Sequence, residues 1–209
     1  MVTLLVGPEG QRMTVHEENF PQGSQLSQAI LKKERPEGQG QNHLIELPGE
    51  SPTHMGYYIE HLYGGKPPTH VLTERSQSVT DAGIRYKLLA ELYVLGGRML
   101  DARYQNVIMR EYFRLALLSD RYPGIGGVRI IYSGTTAQSP ARRMMVDFAA
   151  GCPSDYWLKL AYEHTDGEFW YDLSKVMVRK TELHTLAGET RRMKVDDYLL
   201  KEHAELGGV

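Results

Sequence analysis

Residues 2–16 read VTLLVGPEGQRMTVH, and residues 51–68 read SPTHMGYYIEHLYGGKPP. In the first stretch, apolar residues alternate with other residues on both sides of a Gly-Pro-Glu-Gly turn, which predicts a β-hairpin with one buried face. In the second stretch, Ser51 suits a helix N-cap and Pro52 suits the first helical position, and apolar residues follow at helical spacing. The paired glycines end this helix, and the paired prolines prevent its continuation. We therefore expect a β-hairpin and an amphipathic helix as the firmest elements of the fold.

Other elements of the first half follow from the same periodicities. Residues 24–32 carry a short apolar helical stripe, and residues 43–47 are typical of a third strand that ends at a Pro-Gly turn. From residue 84 to residue 115, apolar residues recur at helical spacing in two runs. Asp101 lies between the runs and suits a cap for the second one. This region is predicted to be a helical hairpin.

The second half of the chain is predicted to be mostly helical. Glycines and a proline at residues 122–127 neither propagate a helix nor favour a central strand, so they predict a boundary. Residues 128–132 are ambiguous between strand and helix. Beyond them, helices are predicted to begin near Ser139, Ser154 and Asp166. None of these helices is stable alone in water, so each must pack on the rest of the protein.

Composition limits the class of protein. Apolar residues make up 41% and charged residues 24% of the 209 positions, as in an ordinary folded protein. The net charge is −2, so we expect no nucleic-acid partner, and we interpret the pairs Arg142-Arg143 and Arg191-Arg192 as solvated helix faces. No apolar run reaches the roughly 20 residues that cross a bilayer, so we expect no membrane span. The single cysteine, Cys152, and the lack of an apolar leader favour an intracellular location, either nucleus or cytoplasm.

Residues with catalytic or metal-binding chemistry are few and scattered. His54 and His61 lie two helical turns apart, about 10 Å along the axis, and no further ligand stands at a recognisable spacing, which disfavours a metal site. His16 fits a structural role that joins the hairpin to the first helix. Cys152 shows no histidine partner for nucleophilic catalysis, and residues 124–127 lack the Lys-Ser/Thr ending of a phosphate-binding loop. We predict no enzymatic activity, no catalytic residue, no cofactor and no metal.

Three motifs carry a resemblance to a known family. Met13-Thr14-Val15-His16 resembles the F-x-V-H opening of BTB/POZ domains, and Leu62-Tyr63-Gly64-Gly65 resembles the LYTG ending of a helix in that family. Residues 89–96, LAELYVLG, resemble its next helix, L-x-x-LY-x-LA. Residues 131–143 are similar to a subgroup common in filamentous fungi. The resemblance implies an α+β fold, with a small three-stranded sheet flanked by helices.

The same resemblance implies a division of the chain. It covers about residues 2–118, so we expect residues 1–118 to form a BTB/POZ domain. Residues 119–209 are then expected to form a helical extension with a frayed C-terminus. The family usually has a serine at the position of Ser24, followed by bulky aromatic residues. This chain instead has Gln25-Leu26-Ser27, which predicts a first helix that packs less deeply or is shifted. Many dimeric members also carry a segment ahead of the hairpin that exchanges between subunits. Because the hairpin here starts at Val2, a strand-swapped homodimer is disfavoured.

Function is also implied by the resemblance. BTB/POZ domains are protein–protein interaction modules, so we expect a scaffold that docks other proteins. The alternative is a substrate adaptor of a cullin-3 ubiquitin ligase, although the loop at residues 32–41 offers no hydrophobic anchor for cullin-3. We place the contact surface on the face formed by this loop and the helix at residues 52–63. The residues expected to be exposed on this face and to contact a partner are Glu34, His54 and His61.

Overall fold

The computed structural model describes residues 1–24, 26, 28, 43–65, 79–119, 122–151, 167–184 and 193–201. Within these residues the chain forms a small three-stranded sheet and six α-helices, which confirms the α+β class. The strands are β1 (Val2–Val6), β2 (Gln11–Val15) and β3 (His43–Leu47). The helices are α1 (Pro52–Leu62), α2 (Val79–Arg98), α3 (Ala102–Ser119), α4 (Ile125–Gly134), α5 (Pro140–Gly151) and α6 (Gly167–His184). Short 3-10 turns occupy Glu17–Asn19 and Val195–Tyr198.

The sheet has the strand order β2-β1-β3, with β1 in the centre. β1 and β2 form the predicted antiparallel hairpin, in which Val2 lies opposite Val15, and β3 runs parallel to β1. The turn between β1 and β2 needs Gly7 and Gly10, whose φ angles are 79° and 63°. Val2, Leu4 and Val6 are fully buried, so one face of the sheet forms part of the core, as the alternation predicts.

Helix α1 begins and ends where the sequence predicts. Ser51 is its N-cap, and the Ser51 hydroxyl accepts a hydrogen bond from the His54 N–H at 3.4 Å. At the other end, the Gly64 N–H donates to the His61 carbonyl and the Gly65 N–H donates to the Glu60 carbonyl. This pair of bonds is the Schellman motif, which places Gly64 in the left-handed region, at a φ of 76°.

Helix α2 ends in the same motif, but with a leucine in the left-handed position. The Leu100 N–H donates to the Gly97 carbonyl, and the Asp101 N–H donates to the Gly96 carbonyl. Leu100 has a φ of 55° and is 58% exposed, so its side chain gains little contact in return for the backbone strain. Asp101 then caps α3, because its Oδ1 accepts a hydrogen bond from the Tyr104 N–H at 2.9 Å. The predicted helical hairpin and its cap are both confirmed.

Replacing Leu100 with glycine is expected to raise the free energy of unfolding by about 1 kcal/mol, because glycine adopts the left-handed conformation without strain. The matched control is Gly64→Ala, at the same position of the motif that ends α1, where no atom lies within 4 Å of the added Cβ. It is expected to lower the free energy of unfolding by about 1 kcal/mol. Urea unfolding followed by circular dichroism measures both. Changes of the same sign in the two variants would contradict the explanation.

The prediction that residues 122–127 do not form a helix is wrong in part, because α4 begins at Ile125. Gly124 is the N-cap of α4, and Gly126 and Gly127 are helical. The ambiguous residues 128–132 are therefore helix. The reason is tertiary packing, since the glycines of α4 let it approach α2 closely: a Cβ on Gly134 would lie 2.5 Å from the methyl groups of Val94. Glycine here serves close helix contact, at a cost in propensity of about 1 kcal/mol per residue.

One hydrophobic core runs through the described residues. Leu92 and Leu95 of α2 belong to it together with Val128 and Ile131 of α4, and all four are fully buried. Helix α4 therefore packs as part of the same core as the sheet and the helical hairpin. The division of the chain between residues 118 and 119 stays a prediction. Among the helices that the structure describes, none is long and apolar enough to cross a membrane.

Several predicted elements lie at the limits of the described residues. Of the helix predicted near residues 24–32, the structure shows the start, where the Gln28 N–H donates to the Ser24 carbonyl at 2.9 Å. Leu26 is buried there. The helix predicted from Ser154 falls outside the described residues. Ser139 precedes α5 as predicted, and its hydroxyl accepts a hydrogen bond from the Ala141 N–H at 3.3 Å.

Candidate interaction surface

Two of the three predicted contact residues lie on α1, and both are half-buried rather than exposed. The His54 Nε2 lies 3.2 Å from a carboxylate oxygen of Glu91, which links α1 to α2. His54 therefore has a partner within the protein. Glu34 lies outside the described residues, as does the whole loop at residues 32–41 to which the cullin-3 alternative refers.

His61 reaches a different helix. Its ring lies against the ring of Tyr104 on α3, with 5.0 Å between the centroids. Burial lowers the pKa of His61, and the Asp101 carboxylate opposes that shift to a smaller extent. The neutral ring is favoured in this position. The two histidines of α1 thus contact different helices, and the described residues contain no group of three potential metal ligands.

Beneath α1 lies a buried cluster formed by Tyr58, Asp101 and Tyr104. Asp101 is 2% exposed, and its Oδ2 accepts a hydrogen bond from the Tyr58 hydroxyl at 3.0 Å while its Oδ1 caps α3. The rings of Tyr58 and Tyr104 meet edge to face, 5.0 Å apart. The carboxylate therefore joins α1 to the turn between α2 and α3.

Electrostatics fixes the protonation of the two tyrosines in this cluster. Burial raises the pKa of both Tyr58 and Tyr104, and the charge of Asp101 raises it further. Both hydroxyls therefore stay protonated at neutral pH, and that of Tyr58 donates to Asp101. Among the described residues, the Tyr104 hydroxyl finds no hydrogen-bond partner. The arrangement is suited to holding α1 in place rather than to proton transfer, because a general base needs a pKa near the working pH.

His16 has the predicted kind of structural role, but the partner that the structure shows is at the end of α1. The His16 Nδ1 lies 2.8 Å from the Tyr63 hydroxyl, and the His16 backbone N–H donates to the same oxygen at 3.1 Å. The hydroxyl can donate to Nδ1 while it accepts from the backbone. His16 thus ties the end of β2 to the residue that caps α1.

The outward side of α1 is formed by residues that the sequence analysis did not select. Thr53 and Glu60 are exposed, Gly56 is half-buried, and Tyr63 is 50% exposed. Their spacing of three, four and three residues places them on one side of the helix, opposite Met55 and Tyr58. We call these four residues the α1 stripe. The sequence indicates part of this stripe, because the predicted apolar face leaves Thr53, Gly56 and Glu60 on the other side of the helix. Tyr63 was predicted on the apolar face, and the structure corrects this, since Tyr63 is half-exposed.

A second group of residues forms a polar junction around Arg142, which the structure buries to 7% exposure. Its guanidinium donates to the carbonyls of Tyr132 and Thr135 at the end of α4, each at 2.5 Å, and to the Glu168 carboxylate of α6. It also lies 4.5 Å from the ring centre of Tyr132. The interpretation of Arg142 as part of a solvated face is therefore wrong. Arg191 and Arg192 lie outside the described residues.

A cleft of about 390 Å³ opens between the ends of α2 and α4 and the start of α5. Its lining is mainly uncharged, with hydroxyls and amides from Tyr93, Gln105, Thr135, Gln138 and Ser139 among others. The charged side chain that borders it, Arg98, is held by two 2.6 Å hydrogen bonds to Glu50. No sequence pattern predicts this cleft, because its walls come from four separate parts of the chain.

Comparison with protein-family models, with curated proteins and with solved structures gave no match. The resemblance to BTB/POZ domains therefore stays a prediction from the motifs. Cys152, whose nucleophilic role the sequence disfavours, lies outside the described residues.

Proposed function

We propose that the chain is a protein–protein interaction module, a BTB/POZ-like scaffold that docks other proteins. The observation that carries the proposal is the order and pairing of the elements. A hairpin is followed by a third strand parallel to β1, then by α1 and by the α2–α3 helical hairpin. This is the order that the sequence resemblance implies. Since a fold alone does not define a function, the test must measure binding.

The α1 stripe is the surface that best fits such a role. Helix α1 is held from below by Asp101, from the side by His54 and Glu91, and at its end by His16. Binding to a rigid surface costs less conformational entropy than binding to a mobile one. The half-exposed Tyr63 offers an aromatic side chain of the kind that dominates many interfaces. The stripe therefore combines a fixed backbone with a half-exposed aromatic ring, whose hydroxyl is held by His16.

The test compares proteins captured from an extract of the source organism by the full chain and by two variants. The first variant carries Thr53→Arg and Glu60→Arg on the α1 stripe. The control carries Thr14→Arg and Glu46→Arg, the same exchanges at exposed positions of β2 and β3. An unpaired arginine in an interface costs about 2 kcal/mol, or roughly 30-fold in affinity. Quantitative mass spectrometry should show partners lost from the first variant and kept by the control.

Two results would overturn this proposal. One is the absence of any partner that the wild-type chain captures above the background of an unrelated protein. The other is equal recovery of every partner with the α1 stripe variant, both variants being folded by circular dichroism. For any partner that is lost from the α1 stripe variant, calorimetry with the purified partner measures the change in affinity between the wild-type chain and the variant.

A further inference from the structure

Residues 193–201, which we call the strap, lie in an extended conformation around one 3-10 turn. The residues on either side of the turn, Lys194 and Leu199, have extended backbone angles. The strap packs on α3 and α5. Tyr198 is its anchor, because the side chain is only 4% exposed and its ring lies 5.5 Å from the ring of Phe113 on α3. The strap is thus seated by specific contacts, and residues 202–209, which include the glycines that predict a frayed end, lie outside the described residues.

The residues around the Tyr198 side chain, which form its pocket, also bind its hydroxyl. That hydroxyl donates a hydrogen bond to the Asp147 Oδ2 of α5 at 2.8 Å. Phe148 completes the aromatic wall, since its ring lies 5.3 Å from that of Phe113. A phenylalanine in place of Tyr198 would leave the Asp147 oxygen without this donor. The pocket therefore discriminates in favour of tyrosine by both shape and hydrogen bonding.

Asn106 recognises the backbone of the strap. Its side-chain amide donates to the Leu200 carbonyl at 2.9 Å and accepts from the Leu200 N–H at 2.7 Å. Both bonds go to the main chain of one residue, as when a strand is added to a sheet edge. Asn106 is 2% exposed, so the clamp is held in a fixed position. It binds an extended backbone whatever side chain follows the tyrosine.

Arg143 makes the third contact. Its guanidinium lies 5.3 Å from the ring centre of Tyr198 and donates a hydrogen bond to the Asp197 carbonyl. The ring of Tyr198 thus contacts both Arg143 and Phe113. Together, Asn106, Phe113, Arg143, Asp147 and Phe148 form what we call the strap groove, all of it on α3 and α5.

We infer that the strap groove is a recognition site for short peptides that carry a tyrosine at the end of a tight turn and an extended backbone after it, and that the strap occupies it as an internal ligand. A single aromatic anchor with a backbone clamp is how proteins bind linear peptides. A partner segment of the same chemistry would compete with the strap. Because the strap is tethered, its effective concentration at the groove is on the order of 1 mM, so it suppresses weak binding from outside. This site is separate from the α1 stripe.

The test uses the full chain and a fluorescein-labelled peptide with the sequence of residues 193–201, MKVDDYLLK. Tyr198→Ala removes the internal anchor, and Leu200→Pro removes the N–H that Asn106 binds; both changes leave the groove residues intact. Fluorescence anisotropy is expected to show saturable binding to both variants. Wild-type protein should bind the peptide about tenfold more weakly than Tyr198→Ala, because its own strap competes.

Two controls make the result specific. A peptide with alanine in place of its tyrosine is expected not to bind, and Asn106→Leu added to Leu200→Pro should abolish binding of the tyrosine peptide. The tyrosine peptide should also raise the melting temperature of Tyr198→Ala, which tests the inference even if that variant is only marginally stable. Equal binding of the two peptides would overturn the inference. So would the absence of saturable binding to folded Leu200→Pro and Tyr198→Ala chains at peptide concentrations of about 1 mM.

Discussion

Replacing Arg142 with methionine is expected to lower the free energy of unfolding by about 2–4 kcal/mol. The change keeps most of the side-chain volume but removes the donors to the Tyr132 and Thr135 carbonyls. Each acceptor left buried without a donor costs about 1–3 kcal/mol. The contact between the guanidinium and the Tyr132 ring is lost as well. Against a typical total stability of about 5–15 kcal/mol, this is a large fraction.

The ion pair between Arg142 and Glu168 contributes little to the expected loss of stability. Glu168 is 74% exposed on its side chain, so water would solvate its carboxylate once Arg142 is gone. Glu168→Gln is therefore expected to change the free energy of unfolding by less than about 1 kcal/mol. Arg179→Met, at an exposed position of α6, is the matched control and should be nearly neutral. Urea unfolding of the three variants separates the contribution of the hydrogen bonds from that of the ion pair. Similar losses of stability from Arg142→Met and Arg179→Met would contradict the role of the buried guanidinium.

The parts of the fold that could be predicted are those with local causes. The alternation in β1 and the caps of α1 at Ser51 and Gly64 act within a few residues, so the sequence alone places them. Gly134 and Arg142 depend on residues that are far away in the chain. The glycine is required by Val94, and the arginine is buried because it meets the end of α4. No local pattern encodes such contacts, which explains why Arg142 was interpreted wrongly and why the role of Gly134 was not predicted.

The candidate site shows the same limit. The sequence located α1 and the buried residues Met55 and Tyr58, which was enough to place Thr53, Gly56 and Glu60 outward but not Tyr63. The choice of His54 and His61 instead followed residue chemistry rather than helical geometry. The strap groove could not be predicted from the sequence, because the residues that meet there, Asn106 and Leu200, are 94 residues apart in the chain.

Replacing Asp101 with alanine is expected to lower the free energy of unfolding by about 3 kcal/mol, from two separate losses. The cap of α3 contributes about 1–2 kcal/mol, since the Tyr104 N–H loses its acceptor. The buried Tyr58 hydroxyl is left without its partner, at a cost of about 1–3 kcal/mol. Asp101→Asn keeps an oxygen for the cap, so it is expected to cost less than the alanine variant.

Tyr58→Phe separates the two losses. Tyr58→Phe alone is expected to lower the free energy of unfolding by about 1 kcal/mol, because the buried Asp101 oxygen loses its donor. In the double variant with Asp101→Ala, the stranded hydroxyl is absent, so the double variant is expected to be no less stable than Asp101→Ala. Chemical denaturation gives the coupling energy, and strictly additive losses would contradict a direct interaction. Since Tyr58 lies on α1, Asp101→Ala should also speed amide hydrogen exchange along α1. Helix α5, which carries none of the cluster residues, is the internal control and should change less.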